Sequence, residues 1–234
     1  MKIILVVALL LLISLGYSAY TFMRKVRVSR ELVEKAVPFM LKGERGVSVL
    51  VLGDSTAVGV GAESPQGTLA ALVAEKVNAT QVDNFAASGA QVQDLAKQVQ
   101  NISKEKYNFI LIGIGANDVI RFRDPDDSAE HLSVILAGLP VRDKLIVYMA
   151  GNVGATTLFP RIINPLYTRR TVAFHTAFSD AVSRLGGTYV NLYTDPALDP
   201  FTKSPEVYLA VDGLHPTSAG YKLWFERISA ALDG

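Results

Sequence analysis

From Gly46 onward, apolar runs of strand length alternate with stretches of helical period, and this alternation leaves few folds open. VSVLVL (47–52) is unbroken and rich in Val, the pattern of a strand buried on both faces. A helical stretch over 69–77 (LAALVAEKV) and a short strand over 81–86 (QVDNFA) follow. Next come a helix over 91–102 and the strongest strand candidate, YNFILIGIG (107–115). Residues 126–139 predict a helix with Asp126 or Asp127 as its N-cap. KLIVYMAG (144–151) is a fourth strand, and a long helix covers much of 165–186. A fifth strand, TYVNLY (188–193), precedes a last helix over 217–232. Strand–helix alternation predicts an α/β domain with a five-stranded parallel sheet and helices on both faces. Ligands in such folds sit beyond the carboxyl ends of the strands.

The chain of 234 residues is long enough for one domain plus an appendage, and its 50% apolar content excludes a disordered protein. The absence of cysteine excludes disulfides, thiol nucleophiles and Cys-ligated zinc. A net charge of +1 gives no reason to expect nucleic acid as a partner. The charge is unevenly spread, however. Residues 1–30 hold five basic residues and no acid, whereas the remainder carries 18 basic and 22 acidic residues.

Ile3 to Met23 is a run of 21 residues without a charge, long enough as a helix for a hydrocarbon core of about 30 Å. Tyr17, Tyr20 and Phe22 lie toward one end, as interfacial aromatics do. The expectation is a single-pass membrane anchor over 1–23, with an amphipathic linker helix over 24–45 ending near Pro38 and the main domain over 46–234. The competing expectation is a cleaved signal segment, with Lys2 as its n-region and a cut near Ala19, leaving a secreted or periplasmic protein. Arg24, Lys25, Arg27 and Arg30 favour a cytoplasmic domain by the positive-inside rule, but the side stays open.

Four short segments lie where a doubly wound sheet would gather them. Gly53-Asp54-Ser55 follows the first strand, Ala86-Ala87-Ser88-Gly89 the second and Gly115-Ala116-Asn117-Asp118 the third, while Asp212-Gly213-Leu214-His215-Pro216 precedes the last helix. With these blocks in this order over residues 47–230, the chain resembles the SGNH (GDSL-type) hydrolase family. VLGDST matches its first block, Ser88-Gly89 the glycine of its second, GAND its G-x-N-D and DGLHP its D-x-x-H. Thr56 stands where the lipolytic motif has Leu, a position outside the catalytic set. The resemblance implies a flavodoxin-like three-layer sandwich and hydrolysis of esters or thioesters, without metal or cofactor. It assigns Ser55 as nucleophile, Asp212 and His215 as its partners, and Ser55, Gly89 and Asn117 as the oxyanion hole.

The chemistry agrees with that assignment. A serine hydroxyl is a poor nucleophile until a base takes its proton, and an imidazole suits that task near neutral pH. His215 needs an acceptor on its other nitrogen, which Asp212 can supply. The oxyanion of the tetrahedral intermediate needs preorganised donors: the backbone N–H groups of Ser55 and Gly89 and the Asn117 amide. Each residue also has a plainer use. Ser55 or His215 could cap a helix, Asn117 could bridge loops and Asp212 could shape a turn, while Asp54 fits a structural turn role better than a catalytic one.

Other signals are weaker. Gly59-Val60-Gly61 lacks the rest of a nucleotide-binding loop. His131 and His175 fit helix surfaces or helix packing, Trp224 fits the core and Arg169-Arg170 a solvated face. Residues 156–167 (TTLFPRIINPLY) line an acyl pocket or pack on the core. The expected function is hydrolysis of small or lipid carboxylic esters through an acyl-enzyme. The alternatives are an acyl or acetyl transferase or carbohydrate deacetylase on the same residues, or a membrane-tethered binding domain without turnover.

Overall fold

The computed structural model describes residues 2–43, 45–102 and 104–233, but not the side chains at positions 2, 3, 5, 7, 8 and 11. Five parallel strands form one sheet in the order β2-β1-β3-β4-β5: β1 (Val47–Gly53), β2 (Ala79–Asn84), β3 (Tyr107–Gly113), β4 (Val141–Tyr148) and β5 (Thr188–Val190). The order reverses at β1, so the residues leaving β1 and β3 lie at a topological switch point.

Alternate residues of each strand feed opposite cores, which is why the central runs are apolar throughout. Leu50, Leu52, Ile110, Ile112 and Val147 pack on one face. They meet α4 (Leu95–Val99), α5 (Ala116–Ile120), α6 (Pro125–Ala137) and α7 (Asn164–Arg184), chiefly through Leu95, Val119, Leu132, Phe174 and Phe178. Val49, Val51, Leu111, Ile146 and Tyr148 pack on the other. There they meet α3 (Leu69–Lys76), α8 (Pro200–Lys203), α9 (Pro205–Tyr208) and α10 (Ser218–Asp233) through Leu69, Val73, Phe201, Tyr208, Tyr221, Trp224 and Ile228. The expected α/β sandwich with a five-stranded parallel sheet is therefore the observed fold.

Several local expectations need correction. The N-cap of α6 is Asp124, not Asp126 or Asp127; its Oδ1 accepts from the backbone N–H groups of both, at 2.9 and 3.1 Å. Pro125, favoured at the first helical position, moves the start earlier. The fourth strand runs from Val141 to Tyr148 rather than over 144–151, the exposed charged pair Arg142 and Asp143 hiding its start from a reading by apolar runs. Of the pair expected on a solvated face, Arg169 is exposed but Arg170 is half-buried: its Nε donates to the Val119 carbonyl at 3.2 Å and its guanidinium lies 4.9 Å from the Phe122 ring centre.

The N-terminal region is one continuous helix, α1 (Lys2–Lys35), with no break between the expected anchor and linker. It stops ahead of Pro38, which disfavours helix in the residue before it. Leu41 then pairs with Val82 of β2 through hydrogen bonds of 3.0 and 3.2 Å. The C-terminal half of α1 is docked on the domain: the Phe22 ring lies 6.4 Å from that of Phe159. Farther toward the N-terminus, Leu9, Leu10, Leu12, Ile13 and Leu15 are exposed. Among the described residues no helix is long and apolar enough to cross a membrane. The anchor expectation falls partly on side chains outside the described set.

Candidate active site

The site is built where β1 ends. Gly53 sits at φ 135°, and a Cβ there would meet the Gly113 carbonyl oxygen at 2.0 Å, so only glycine allows β1 and β3 to approach this closely. Asp54 caps the short helix α2 (Ser55–Val58), its Oδ1 accepting from the Thr56 N–H and hydroxyl, both at 2.8 Å. Burial pushes the Asp54 pKa up to about 6 against the pull of those bonds. Asp54 is thus the turn-shaping residue expected, and Ser55 is left free of capping duty.

The turn before α10 brings the other partners. Asp212 is fully buried, and its Oδ1 accepts from the backbone N–H groups of Leu214 and His215 at 3.0 and 3.1 Å. Its Oδ2 lies 2.6 Å from His215 Nδ1. Burial alone would raise the Asp212 pKa, but the hydrogen bond and charge of His215, with the two backbone donors, hold it below the ordinary carboxylate value. His215 Nε2 in turn lies 2.9 Å from Ser55 Oγ. A hydroxyl, an imidazole and a carboxylate are therefore joined in one hydrogen-bonded line across 160 residues of sequence. Such a line can move the hydroxyl proton to the imidazole and stabilise the cation formed.

Asn117, in the first turn of α5, lines the same cleft, and its Nδ2 donates to the Ala90 carbonyl at 3.0 Å. Gly89 has φ 80°, a conformation that disfavours any side chain, and it precedes Ala90, whose carbonyl accepts from Asn117. The structure thus brings together Ser55, Asn117, Asp212 and His215, and ties Asn117 to the residue after Gly89. Asp118 accepts from the Val92 N–H at 3.2 and 3.3 Å, tying the segment after β2 to the one after β3. Burial pushes its pKa up to about 7.

Leu192, Phe201, Leu209, Leu214, Leu223 and Trp224 make much of the cleft apolar, with Asn152 and Thr156 from the segment after β4. The 156–167 stretch divides between its two expected uses: Thr156 lines the cleft, whereas Tyr167 is in the core. His175 is buried, its Nδ1 2.6 Å from the Tyr189 hydroxyl and its Nε2 3.0 Å from the Gly151 carbonyl. Burial lowers its pKa to about 4, so it is a neutral packing residue; His131 is exposed. No group of three or more acidic, His or Cys side chains among the described residues is arranged to hold a metal ion.

Sequence reasoning missed Lys25. From α1 its ammonium donates to the Thr157 carbonyl and, at 3.0 Å, to the Thr157 hydroxyl. The Thr157 and Leu158 N–H groups donate to the Gly213 carbonyl at 2.8 and 3.2 Å. Lys25 thus braces the turn that carries Asp212 and His215. No local signal announces a contact spanning 132 residues.

The arrangement has relatives. A GDSL-like esterase of Mycobacterium tuberculosis is 27% identical over 195 residues, covering 80% of this chain and 62% of that protein. The chain therefore spans less than two thirds of that relative's length. The solved lipase/acylhydrolase of Enterococcus faecalis superposes with a TM-score of 0.60 at 22% identity, covering 81% of this chain and 96% of the other. A member of the lipolytic G-D-S-L family from Veillonella parvula does so with a TM-score of 0.60 at 15% identity, covering 80% and 97%. At these identities the superpositions speak to the fold alone. Residues 51–223, most of the main domain and the segments that carry Ser55, Asn117, Asp212 and His215, match the family model itself, and the chain belongs to the GDSL-like lipase/acylhydrolase family.

Proposed function

We propose that this protein hydrolyses carboxylic esters through an acyl-enzyme formed on Ser55. The observation that carries the reading is the 2.9 Å contact of Ser55 Oγ with His215 Nε2, continued at 2.6 Å to Asp212. In the first half-reaction His215 takes the serine proton as Ser55 Oγ attacks the ester carbonyl, then returns it to the departing alkoxide. In the second it deprotonates water, which releases the acid and restores Ser55. Asp212 holds the tautomer that leaves Nε2 free to accept and stabilises the imidazolium. The oxyanion is received by the Ser55 N–H and the Asn117 amide, with the Gly89 N–H as the third donor. The acyl group lies against Leu192, Phe201 and Trp224.

The test is a series of p-nitrophenyl esters of increasing acyl length. Turnover should be present in the wild type and lost in Ser55→Ala; wild-type rates in that variant would reject the mechanism. We also propose that α1 holds the domain at a membrane. The uncharged run from Ile3 to Met23 and the exposure of Leu9, Leu10, Leu12, Ile13 and Leu15 support this. Protein recovered from the membrane fraction with its N-terminus intact would agree, whereas a free protein cleaved near Ala19 would favour a signal segment.

A further inference from the structure

At its last residue, Gly53, β1 is paired as a strand on one side only. β3 follows it from Val49 to Gly53, whereas β2 accompanies it no farther than Val51. On the β2 side a side chain takes over. Gln98, a buried residue of α4, accepts from the Gly53 N–H through Oε1 and donates from Nε2 to the Gly53 carbonyl, both at 2.8 Å. One acceptor and one donor thus meet one donor and one acceptor, and the amide stands in for a strand residue.

Gly53 is the point from which Ser55 is aimed. The Asp54 N–H donates to the Gly113 carbonyl at 2.8 Å, which holds the turn against β3, and Gln98 holds it from the opposite side. The Gly53 carbonyl also accepts from the Ala87 N–H at 3.0 Å, so the same peptide joins the turn of Ser55 to the segment that carries Gly89. Continuing β2 would satisfy these groups as well, but it would keep the chain in the strand direction where it has to turn toward Gly89 and Ala90. The side-chain amide lets the chain turn and still secures Gly53. Leu95, three residues before Gln98 and on the same face of α4, is fully buried in the core and makes the support rigid.

We propose that Gln98 is a positioning residue, which acts through Gly53 to set the places of the Ser55 hydroxyl and of the backbone N–H donors for the oxyanion. The inference rests on the ester-hydrolase reading above. The groups it positions meet developing charge in the transition state, and Gln98 is not one of the residues that line the cleft. Its loss therefore falls on kcat and not on KM.

The experiment uses the full chain and p-nitrophenyl acetate, with each rate divided by the amount of Ser55 that a fluorophosphonate finally labels, so that unfolded protein does not count. Gln98→Met keeps the length and removes both hydrogen bonds. Its kcat should fall about 10- to 100-fold, with KM changed by less than about 2-fold. Gln98→Glu supplies a readout that a merely structural residue would not move. When protonated, its carboxyl offers one acceptor and one O–H donor, the same pair as the amide; when ionised, it offers acceptors only and sets a charge against the Gly53 carbonyl. Burial raises the pKa of such a carboxyl, so kcat relative to the wild type should be greatest near about pH 5.5 and fall about 10-fold by about pH 8.5. Asp54 beside Gly53, and Asp94 and Lys97 near Gln98, are present in both proteins and cancel in the ratio. A wild-type kcat per labelled site in Gln98→Met, or a Gln98→Glu ratio that stays constant with pH, would overturn the proposal. Failure of both variants to fold would overturn it too, and leave Gln98 a residue of the core. A wild type that neither cleaves the ester nor takes the label would overturn the hydrolase reading, and the role of Gln98 with it.

Discussion

His215 has two ring nitrogens and a different partner on each, and the proposed catalysis depends on keeping those partners distinct. The short contact of Asp212 with Nδ1 favours the tautomer that offers Nε2 as a base to Ser55. Asp212→Asn preserves size but presents an N–H to Nδ1 and removes the negative charge. We expect kcat to fall by about 10⁴, as this tautomer logic gives in other serine enzymes. His215→Ala should cost at least as much, and the double variant little more than His215→Ala alone, since the two act as a unit. Multiplicative losses would make Asp212 a turn residue that merely satisfies the Leu214 and His215 N–H groups. These residues were legible in the sequence because each lies in a short motif whose spacing survives without knowledge of the fold. Gly89 was legible as a backbone requirement, seen in its φ of 80°.

Elements explain what the motifs leave out. The sequence makes α1 an anchor and linker, and a linker need not affect chemistry. Lys25 changes that, since it holds the loop of Thr157 against Gly213, next to Asp212. Lys25→Met keeps the aliphatic stem and removes the ammonium. It should lower kcat on a small ester about 10-fold with little change in KM, because a turn displaced by a fraction of an ångström misaligns the base rather than the bound substrate. Lys25→Arg should recover most of the loss, and unaltered kcat in Lys25→Met would return α1 to the role of linker. A second coupling joins elements through Asp118, which bridges the N-terminus of the segment at Val92 to α5. Its pKa, raised to about 7 by burial from an ordinary value near 3.9, means that the folded state binds a proton more readily than the unfolded state. Its contribution therefore weakens stability as pH rises from about 4 to about 7 and is most unfavourable above that window. Asp118→Asn, which keeps one acceptor for Val92, should compare better with the wild type in thermal unfolding at pH 8 than at pH 5. A difference independent of pH would contradict the buried, raised carboxylate. Element limits were less legible than element types. Pro125 disclosed the true start of α6 only once Asp124 was seen to cap it, and Arg142-Asp143 hid the start of β4.

At the scale of the whole molecule, the unbroken apolar runs of β1, β3 and β4 require cover on both faces, and the alternating helices provide it. Parallel strands in turn place all the loops leaving their carboxyl ends along one edge. Segments far apart in the chain, at Ser55, Asn117 and Asp212–His215, therefore meet there as a consequence of topology. This is why the sheet, and the meeting of these segments at one of its edges, could be read before the structure. The docking of α1 beside that edge could not, because it depends on contacts between residues more than a hundred positions apart. The most direct measurement is reaction of the full-length protein with a fluorophosphonate, followed by peptide mapping of the adduct by mass spectrometry. One phosphonyl group on Ser55, absent in Ser55→Ala and strongly slowed in His215→Ala, is the predicted result. Failure of the wild-type protein to react, or an adduct that persists elsewhere in Ser55→Ala, would contradict Ser55 as the activated nucleophile.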